Sequence, residues 1–297
     1  MELEFLDWVM NNLPSSRSSL IGNGDDCAVM DTGNRSVLLA TDMLLDGTHF
    51  WAERIQPELL GRKAVAVNFS DIAAMGGTPT GIFISLAIPN ECNTDWLKRV
   101  MMGAKALANE FGCGIDGGDT NSWSGKFAIN ICVTGTPHWR GPVTRQNALI
   151  GDSILVTGSS LGGSLQSGRH TTFTPRVNEA TWILDHFPVH SMIDISDGLA
   201  TDARRLSSAS KKRFILDPKS ICPLGISDPG FKAAFCDGED FELLFTCSKE
   251  TAEELLRKFP WPCGVRKIGT VDSGHGVYLQ SEPTEPLTPL EFSGFEH

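Results

Sequence analysis

Six short segments set carboxylates beside glycine, hydroxyl or amide residues. They are Gly24-Asp25-Asp26, Thr41-Asp42, Asn68-x-x-Asp71, Asp116-Gly117-Gly118-Asp119-Thr120, Asp194-x-Ser196-Asp197-Gly198 and Gly238-Glu239-Asp240. Four of them follow or end an apolar run, and acids at strand ends and turns can converge on one crevice of an open sheet. Converging carboxylates repel one another unless a counter-charge stands among them. A hard divalent cation such as Mg²⁺ supplies that charge, prefers oxygen ligands and bridges to substrate phosphates. Taken singly, an Asp beside a Gly is more often a turn residue or a helix cap, and Asp197 could cap a helix beginning at Leu199. Asp71 resists that reading because it shares a helix face with Ala64 and Val67, where an unpartnered carboxylate is costly. His49 and His170, alone in their segments, read as structural or surface groups.

The standard nucleotide and hydrolase motifs are missing. The chain has no G-x-x-x-x-G-K-S/T, no G-x-G-x-x-G after a strand, no H-R-D or D-F-G pair and no H-E-x-x-H. Phosphoryl transfer here would rest on metals and backbone amides, with no P-loop lysine.

The elements that must position these residues follow from apolar spacing. Residues 36–41 and 81–88 read as strands, and 126–133 alternate as a half-buried strand. Pro57 opens a helix whose face carries Ala64, Val67, Asn68 and Asp71, stopping at Gly76-Gly77. Asn93-Thr94 caps a second helix with Trp96, Val100, Ala104, Leu107 and Phe111 on one face. A Gly- and Pro-rich stretch between Thr136 and Gly151 marks a boundary near residue 140. That divides the chain into an N-terminal α/β domain, 1–140, and a C-terminal α+β domain, 141–297. In the second, 154–157, 191–195, 242–247 and 265–271 read as strands, 199–210 and 248–258 as helices, and 158–178 as a loop. Alternating strands and helices in both halves predict α/β or α+β architecture with mixed sheets.

Composition bounds the partners. The chain has 297 residues, 36 acids against 25 bases and a formal charge of −11. Nucleic acid and anionic membranes demand clustered Lys and Arg, and neither partner is expected. Eight cysteines without a C-x-x-C pair argue against a zinc or thioredoxin-type site and for reduced thiols in a cytoplasmic protein. The acidic, broken apolar run at the N-terminus does not resemble a signal peptide.

The ordered segments GDDCAV (24–29), TDMLLDGTHF (41–50), KAVAVNFSDIAAMGGTP (63–79), GGDT (117–120), TR (144–145), IDISDGL (193–199), GEDFELLF (238–245) and FSGFEH (292–297) resemble the thiamine-monophosphate kinase family. That family belongs to the aminoimidazole ribonucleotide synthetase-like superfamily. The resemblance implies a two-domain fold of that superfamily and a homodimer built through the N-terminal sheets. It implies ATP-dependent phosphorylation of thiamine phosphate to thiamine diphosphate by direct in-line transfer with Mg²⁺, with no protein nucleophile. By matching motif, Asp26, Thr41, Asp42, Asp71, Asp119, Asp194 and Asp197 would hold metal. Gly118, Asp119, Arg145 and Ser196 would contact ATP, and His49, Glu239 and Phe292 would contact thiamine phosphate. The chemistry suits these residues: the acceptor phosphate is already ionised, and a cationic thiazolium attracts an aromatic face. The alternatives are another ATP-dependent enzyme of the superfamily, of purine-synthesis ligase or selenophosphate synthetase type, and a non-enzymatic acidic metal-binding module. The first would want a reactive Cys with a nearby Lys before residue 26 if it made selenophosphate. The second would want D-x-D-x-D-G repeats, which do not occur.

Overall fold

Pro57 stands in the first turn of an 18-residue helix, α1 (Pro57–Ala74), where its missing N–H costs nothing. Gly76, at φ 68°, ends that helix. Its N–H bonds the Ala73 carbonyl, and the Gly77 N–H bonds that of Ile72, both at 2.8 Å. This is a Schellman stop, as the Gly-Gly pair predicted. α1 is buried on nearly every side, Lys63, Asn68 and Ser70 included. A helix surrounded in this way has no polar stripe of its own and belongs to the centre of the molecule.

The computed structural model describes residues 4–5, 8–9, 12–13, 15–222, 229–292 and 294. The signal-peptide reading and the tail from Ser293 to His297 apart from Gly294 fall partly or wholly outside them. The first sheet has strand order β1-β2-β3-β6-β4-β5, formed by Ser19–Ile21, Ala28–Asp31, Ser36–Leu45, Ala128–Thr136, Thr78–Pro89 and Gly114–Trp123. Only its β4–β5 pair is parallel. The second sheet has order β13-β12-β9-β11-β7-β10-β8, formed by Thr288–Pro289, Gly276–Leu279, Arg213–Leu216, Val265–Asp272, Ser153–Thr157, Leu243–Cys247 and Ser191–Asp194. The β9–β12 pair is parallel within it. Helix α2 (Thr94–Glu110) lies against α1, and Asn93 caps it by accepting from the Asp95 N–H at 2.7 Å. The second half adds α3 (Ser164–Ser167), α4 (Val177–His186), α5 (Leu199–Ser210), α6 (Pro218–Ile221), α7 (Pro229–Cys236) and α8 (Lys249–Lys258). Ser248 caps α8, as its position predicted.

Strands β7 and β10 are buried along their whole length, because the second sheet is covered on both faces. Leu155 joins an apolar core that runs through α1 to the first sheet, while its neighbours Ile154 and Val156 join a second core beneath α5 and α7. The period-two alternation of a strand thus sends one side of the second sheet into each core.

Three elements differ from the sequence reading. The 158–178 segment is not a plain loop: α3 and a 3₁₀ turn, Arg169–Thr171, lie inside it. Left-handed glycines at 162, 163 and 168 break it into pieces too short to show periodicity. The GGDT segment is no turn but part of β5, where Gly118 is obligatory, since a Cβ there would stand 1.8 Å from the Ile84 carbonyl oxygen. β3 continues past residue 41 to Leu45, so Asp42 lies inside a strand.

α1 and α2 cross at Gly61 and Gly103. A Cβ at Gly61 would stand 1.8 Å from the Val100 carbonyl oxygen, and one at Gly103 1.9 Å from that of Glu58. Above the crossing, Arg99 forks onto Glu58 at 2.7 and 3.0 Å. The close backbones leave no side chain to rotate away. Gly61→Ala is therefore expected to cost about 1–3 kcal/mol, the usual cost of overpacking. Urea unfolding reads this directly, and an unchanged midpoint would show that the helices separate without cost.

Candidate active site

Asp71 extends from the C-terminal half of α1 and Asp194 from the end of β8. Asp26 comes from the turn before β2. Oxygen atoms of these three lie within 4.8 Å of one another. Asp194 is 3% exposed, and the Asp26 side chain 2%. At an effective dielectric near 20, two unit charges at such a spacing repel by about 3–4 kcal/mol. Among the described residues, one cation answers them. The Arg145 guanidinium bonds Asp26 at 2.8 and 3.3 Å, and its backbone N–H lies 3.2 Å from an Asp25 oxygen. A single guanidinium cannot balance three carboxylates, so protonation takes up the remainder. Burial pushes the Asp71 carboxyl well up, and the charges of Asp42, Asp194 and Asp26 push it further. Burial and Asp26 do the same to Asp194, against a 2.5 Å hydrogen bond donated by the Ser70 hydroxyl. Asp25, buried and beside Asp26, is raised to about 6. An all-oxygen set that binds protons for want of positive charge suits a hard divalent cation.

Asp42 faces this group. It lies on the inner side of β3, where its N–H bonds the Asn68 side-chain oxygen at 3.1 Å and its charge reaches Asp71. Its neighbour Thr41 points the opposite way, as alternation requires. The Thr41 hydroxyl bonds the Ile131 carbonyl at 3.0 Å on the outer face of the first sheet. Asp119 shares that outer face. Register aligns Met43 with Asn130, Asn130 with Ser85 and Ser85 with Asp119. Asp119 is therefore three strands from β3, about 14 Å at ~4.8 Å per strand. It is exposed and accepts from Asn121 at 2.8 Å. Gly118 lies beside it in β5. Within one copy of the chain, Thr41, Gly118 and Asp119 stand apart from the three clustered acids.

Asp197 does not cap α5. Gly198 occupies the cap position at φ 101°, with no side-chain cap bond. Asp197 instead pairs with Arg205 at 2.6 Å, and its N–H bonds the Asp202 carboxylate at 3.1 Å. Asp202 and Arg205, bonded to each other at 2.7 Å, escaped the sequence reading. Asp202 is fully buried in the first turn of α5, and burial raises it to about 7 despite Arg205. Ser196 completes the turn, its carbonyl accepting the Glu239 N–H at 2.7 Å.

The three residues matched to the organic substrate fall in two places. His49 and Glu239 meet at Lys63, whose buried ammonium bonds the His49 carbonyl oxygen at 2.8 Å and the Glu239 carboxylate. His170 joins them, its Nδ1 2.9 Å from Lys63 Nζ and 3.0 Å from Glu239 Oε2. The signal for Lys63 is a lysine one helical turn before Val67, on a flank it shares with Ala66, Val67 and Ser70. Phe292 stands elsewhere, stacked on Phe235 at 5.6 Å and edge-on to Phe231 at 6.0 Å. Just beyond it, the Gly294 N–H bonds the Thr201 hydroxyl at 2.9 Å. Phe295 lies outside the described residues.

Two mixed sheets sharing a helix, with an acid cluster where they meet, define a chain of the AIR synthase related class. It matches the AIR synthase related protein N-terminal domain over residues 24–136 and the C-terminal domain over 150–282. It is 34% identical to the thiamine-monophosphate kinase of Rhodopirellula baltica, covering 94% of this chain and 92% of that one. To the Pyrococcus abyssi thiamine-monophosphate kinase it is 33% identical, over 92% and 90%. The solved structure of AaThiL complexed with AMPPCP and TMP superposes with a TM-score of 0.80 at 28% identity, over 98% and 97% of the two chains. The chain belongs to the thiamine-monophosphate kinase family and is a kinase.

The raised carboxyls fix the sign of a pH effect. Between 3.8, the value of a free aspartate, and their raised values near 6 and 7, Asp25 and Asp202 hold more protons folded than unfolded. Asp71 behaves likewise. Metal-free stability therefore falls as pH rises through that window. Asp71→Asn removes one such group, so in EDTA its melting temperature should exceed that of the wild type at pH 8, with the gap closing toward pH 4.5. Adding Mg²⁺ at pH 8 should raise the wild-type melting temperature and leave Asp71→Asn nearly unmoved. Parallel curves for the two proteins would refute the assignment.

Proposed function

We propose that this chain transfers the γ-phosphoryl group of ATP to thiamine phosphate, giving ADP and thiamine diphosphate. The observation that carries the reading is the Asp26, Asp71 and Asp194 cluster, in a chain 34% identical to a thiamine-monophosphate kinase over nearly its whole length. The complex of AaThiL with AMPPCP and TMP supports ATP and thiamine phosphate as the two ligands.

Asp26, Asp71 and Asp194 would hold Mg²⁺, with Asp42 facing them and Asp197 nearby beside Ser196. Bound there, Mg²⁺ would neutralise charge on the transferring phosphoryl group. The chain's own residues orient the reactants. Arg145, paired with Asp26 at the edge of the cluster, would meet the ATP phosphates there. Ser196 offers its hydroxyl from the same turn. Glu239 and His49, fixed by Lys63, meet the aminopyrimidine end. The acceptor phosphate is ionised at neutral pH, so no general base is needed.

The first sheet suggests where a second copy docks. Its outer face exposes Met43, Leu45, Phe83 and Trp123, along with β5 as an edge strand. An apolar face beside an unpaired strand edge favours association. We take the partner to be a second copy, with Thr41, Gly118 and Asp119 on the face it covers. No helix among the described residues is long and apolar enough to cross a membrane. An ATP-dependent enzyme of this kind is expected to work in the cytoplasm.

The reaction is tested by a coupled assay for thiamine diphosphate from ATP, Mg²⁺ and thiamine phosphate. Wild type should turn over only with Mg²⁺. Asp42→Asn, which keeps shape but removes charge, should lower kcat by about 100-fold or more, the scale of losing a transition-state charge contact. Near-wild-type turnover of that variant at saturating Mg²⁺ would exclude Asp42 from the metal site.

Phe292 gives a second test. Its stacking on Phe235 makes it part of the second core as well as a candidate aromatic face for thiazolium. Phe292→Ala should therefore lower stability by about 2–4 kcal/mol. It should also weaken thiamine phosphate binding about two- to thirtyfold through lost cation–π attraction. Phe292→Leu restores most of the apolar volume but no π-face. Tighter binding by Phe292→Leu than by Phe292→Ala, to the wild-type level, would assign the residue to the fold alone.

A further inference from the structure

Lys63 is fully buried in the first half of α1. Burying an ammonium is costly unless its three protons find acceptors. The His49 carbonyl oxygen and Glu239 Oε2 take two of them. His170 Nδ1, 2.9 Å from Lys63 Nζ and 3.0 Å from Glu239 Oε2, either accepts the third or, as N–H, donates to Glu239, according to its tautomer. These partners come from three distant segments, the loop after β3, the 3₁₀ turn after α3 and the loop before β10. One side chain thus ties both halves of the chain at one point.

Two further features mark this point. Glu239 and Phe241 hold left-handed backbones at φ 64° and 50°, a strained state for residues with a Cβ. The strain is locked in by hydrogen bonds from the Glu239 N–H to the Ser196 carbonyl at 2.7 Å and from the Phe241 N–H to the Ile195 carbonyl at 2.8 Å. Stacking of Phe241 on Phe173, with centroids 4.4 Å apart, holds the far side. Second, the contacts of the Glu239 carboxylate all fall on Oε2. Among the described residues Oε1 has no hydrogen-bond partner.

We propose that Lys63 is the positioning residue for the organic end of the acceptor substrate: with His170, it grips Glu239 by one oxygen and leaves the other as the acceptor for an N–H of a cationic aminoheterocycle. This rests on the function proposed above. Burial raises the Glu239 carboxyl, but His170 and Lys63 outweigh it and hold the group below the usual range. A carboxylate kept charged in this way selects ligands that bring donors and positive charge, and rejects neutral or anionic rings of the same shape. Lys63 touches no substrate in this scheme and acts through Glu239.

The test uses the full chain with thiamine phosphate and Mg-ATP as the probes. Lys63→Met should weaken thiamine phosphate binding by about 10- to 100-fold, the scale of misplacing one charge-assisted hydrogen bond. Mg-ATP binding should change less than about twofold over the same titrations. His170→Ala, at the other side of the grip, should show the same split with a smaller loss. Because Lys63 acts through Glu239, the double variant Lys63→Met/Glu239→Gln should bind thiamine phosphate no more weakly than Lys63→Met alone. That neutral pair also leaves no buried charge unpaired, so it keeps the test open if Lys63→Met fails to fold. Equal losses for both ligands, unchanged thiamine phosphate binding in a folded variant, or multiplying losses in the double variant would each overturn the proposal. A wild-type protein that does not bind thiamine phosphate would overturn the function itself, and this proposal with it.

Discussion

Carboxylates within 4.8 Å of one another cannot all remain charged in a dry interior, and much of this molecule is arranged around that fact. The cluster forms where α1, the end of β8 and the turn before β2 meet, so it forms only when the two halves of the chain are in place. Two of the three acids have a local answer, Arg145 for Asp26 and Ser70 for Asp194, and Asn68 holds the strand that carries Asp42 beside them. These answers hold the side chains in position without cancelling their charge. A fully paired cluster would be inert toward a cation, whereas this one retains repulsion that binding can relieve.

The second charged centre is built on the opposite principle. Lys63 and Glu239 are a matched pair of opposite charge, with the His49 carbonyl oxygen and His170 Nδ1 beside the buried ammonium. The two centres communicate through the backbone. The Ser196 carbonyl, one residue before Asp197, takes the Glu239 N–H. Gly238 permits that contact, since a Cβ there would stand 2.5 Å from the same carbonyl oxygen. A shift of the loop before β10 is therefore felt at the acidic turn.

Much of this arrangement is legible in the sequence wherever a short-range rule decides it. Asn93 and Ser248 announce their helices, Gly76-Gly77 ends α1, and Asp71 betrays itself by sharing a face with Ala64 and Val67. The rest depends on contacts that spacing cannot express. Asp197 looks like a helix cap by position, yet its carboxylate goes to Arg205, eight residues on. β5 hides because Gly117 and Gly118 interrupt alternation, and because an edge strand exposed on both faces has no apolar period to show. α4 carries Val177, Ala180, Ile183 and Leu184 at helical spacing, but sits beside a glycine-broken stretch that masks it. Lys63 was invisible in its role, since its partner Glu239 lies 176 residues away. The family resemblance adds candidate site residues that these local rules do not reach.

α1 carries both centres on one rigid rod. Lys63 and Asp71 are eight residues apart, which at ~1.5 Å per residue is about 12 Å of rise. Neither end can approach the other without breaking a helix whose Gly61 is pressed against the backbone of α2 and whose C-terminus is closed by a Schellman stop. The helix is in effect a ruler. On the function proposed above, an acceptor whose charged ring and phosphate match that fixed gauge would engage both centres at once, and a shorter or longer phosphate ester would leave one of them empty. Length, read by a single piece of secondary structure, would then be a criterion of selection alongside charge.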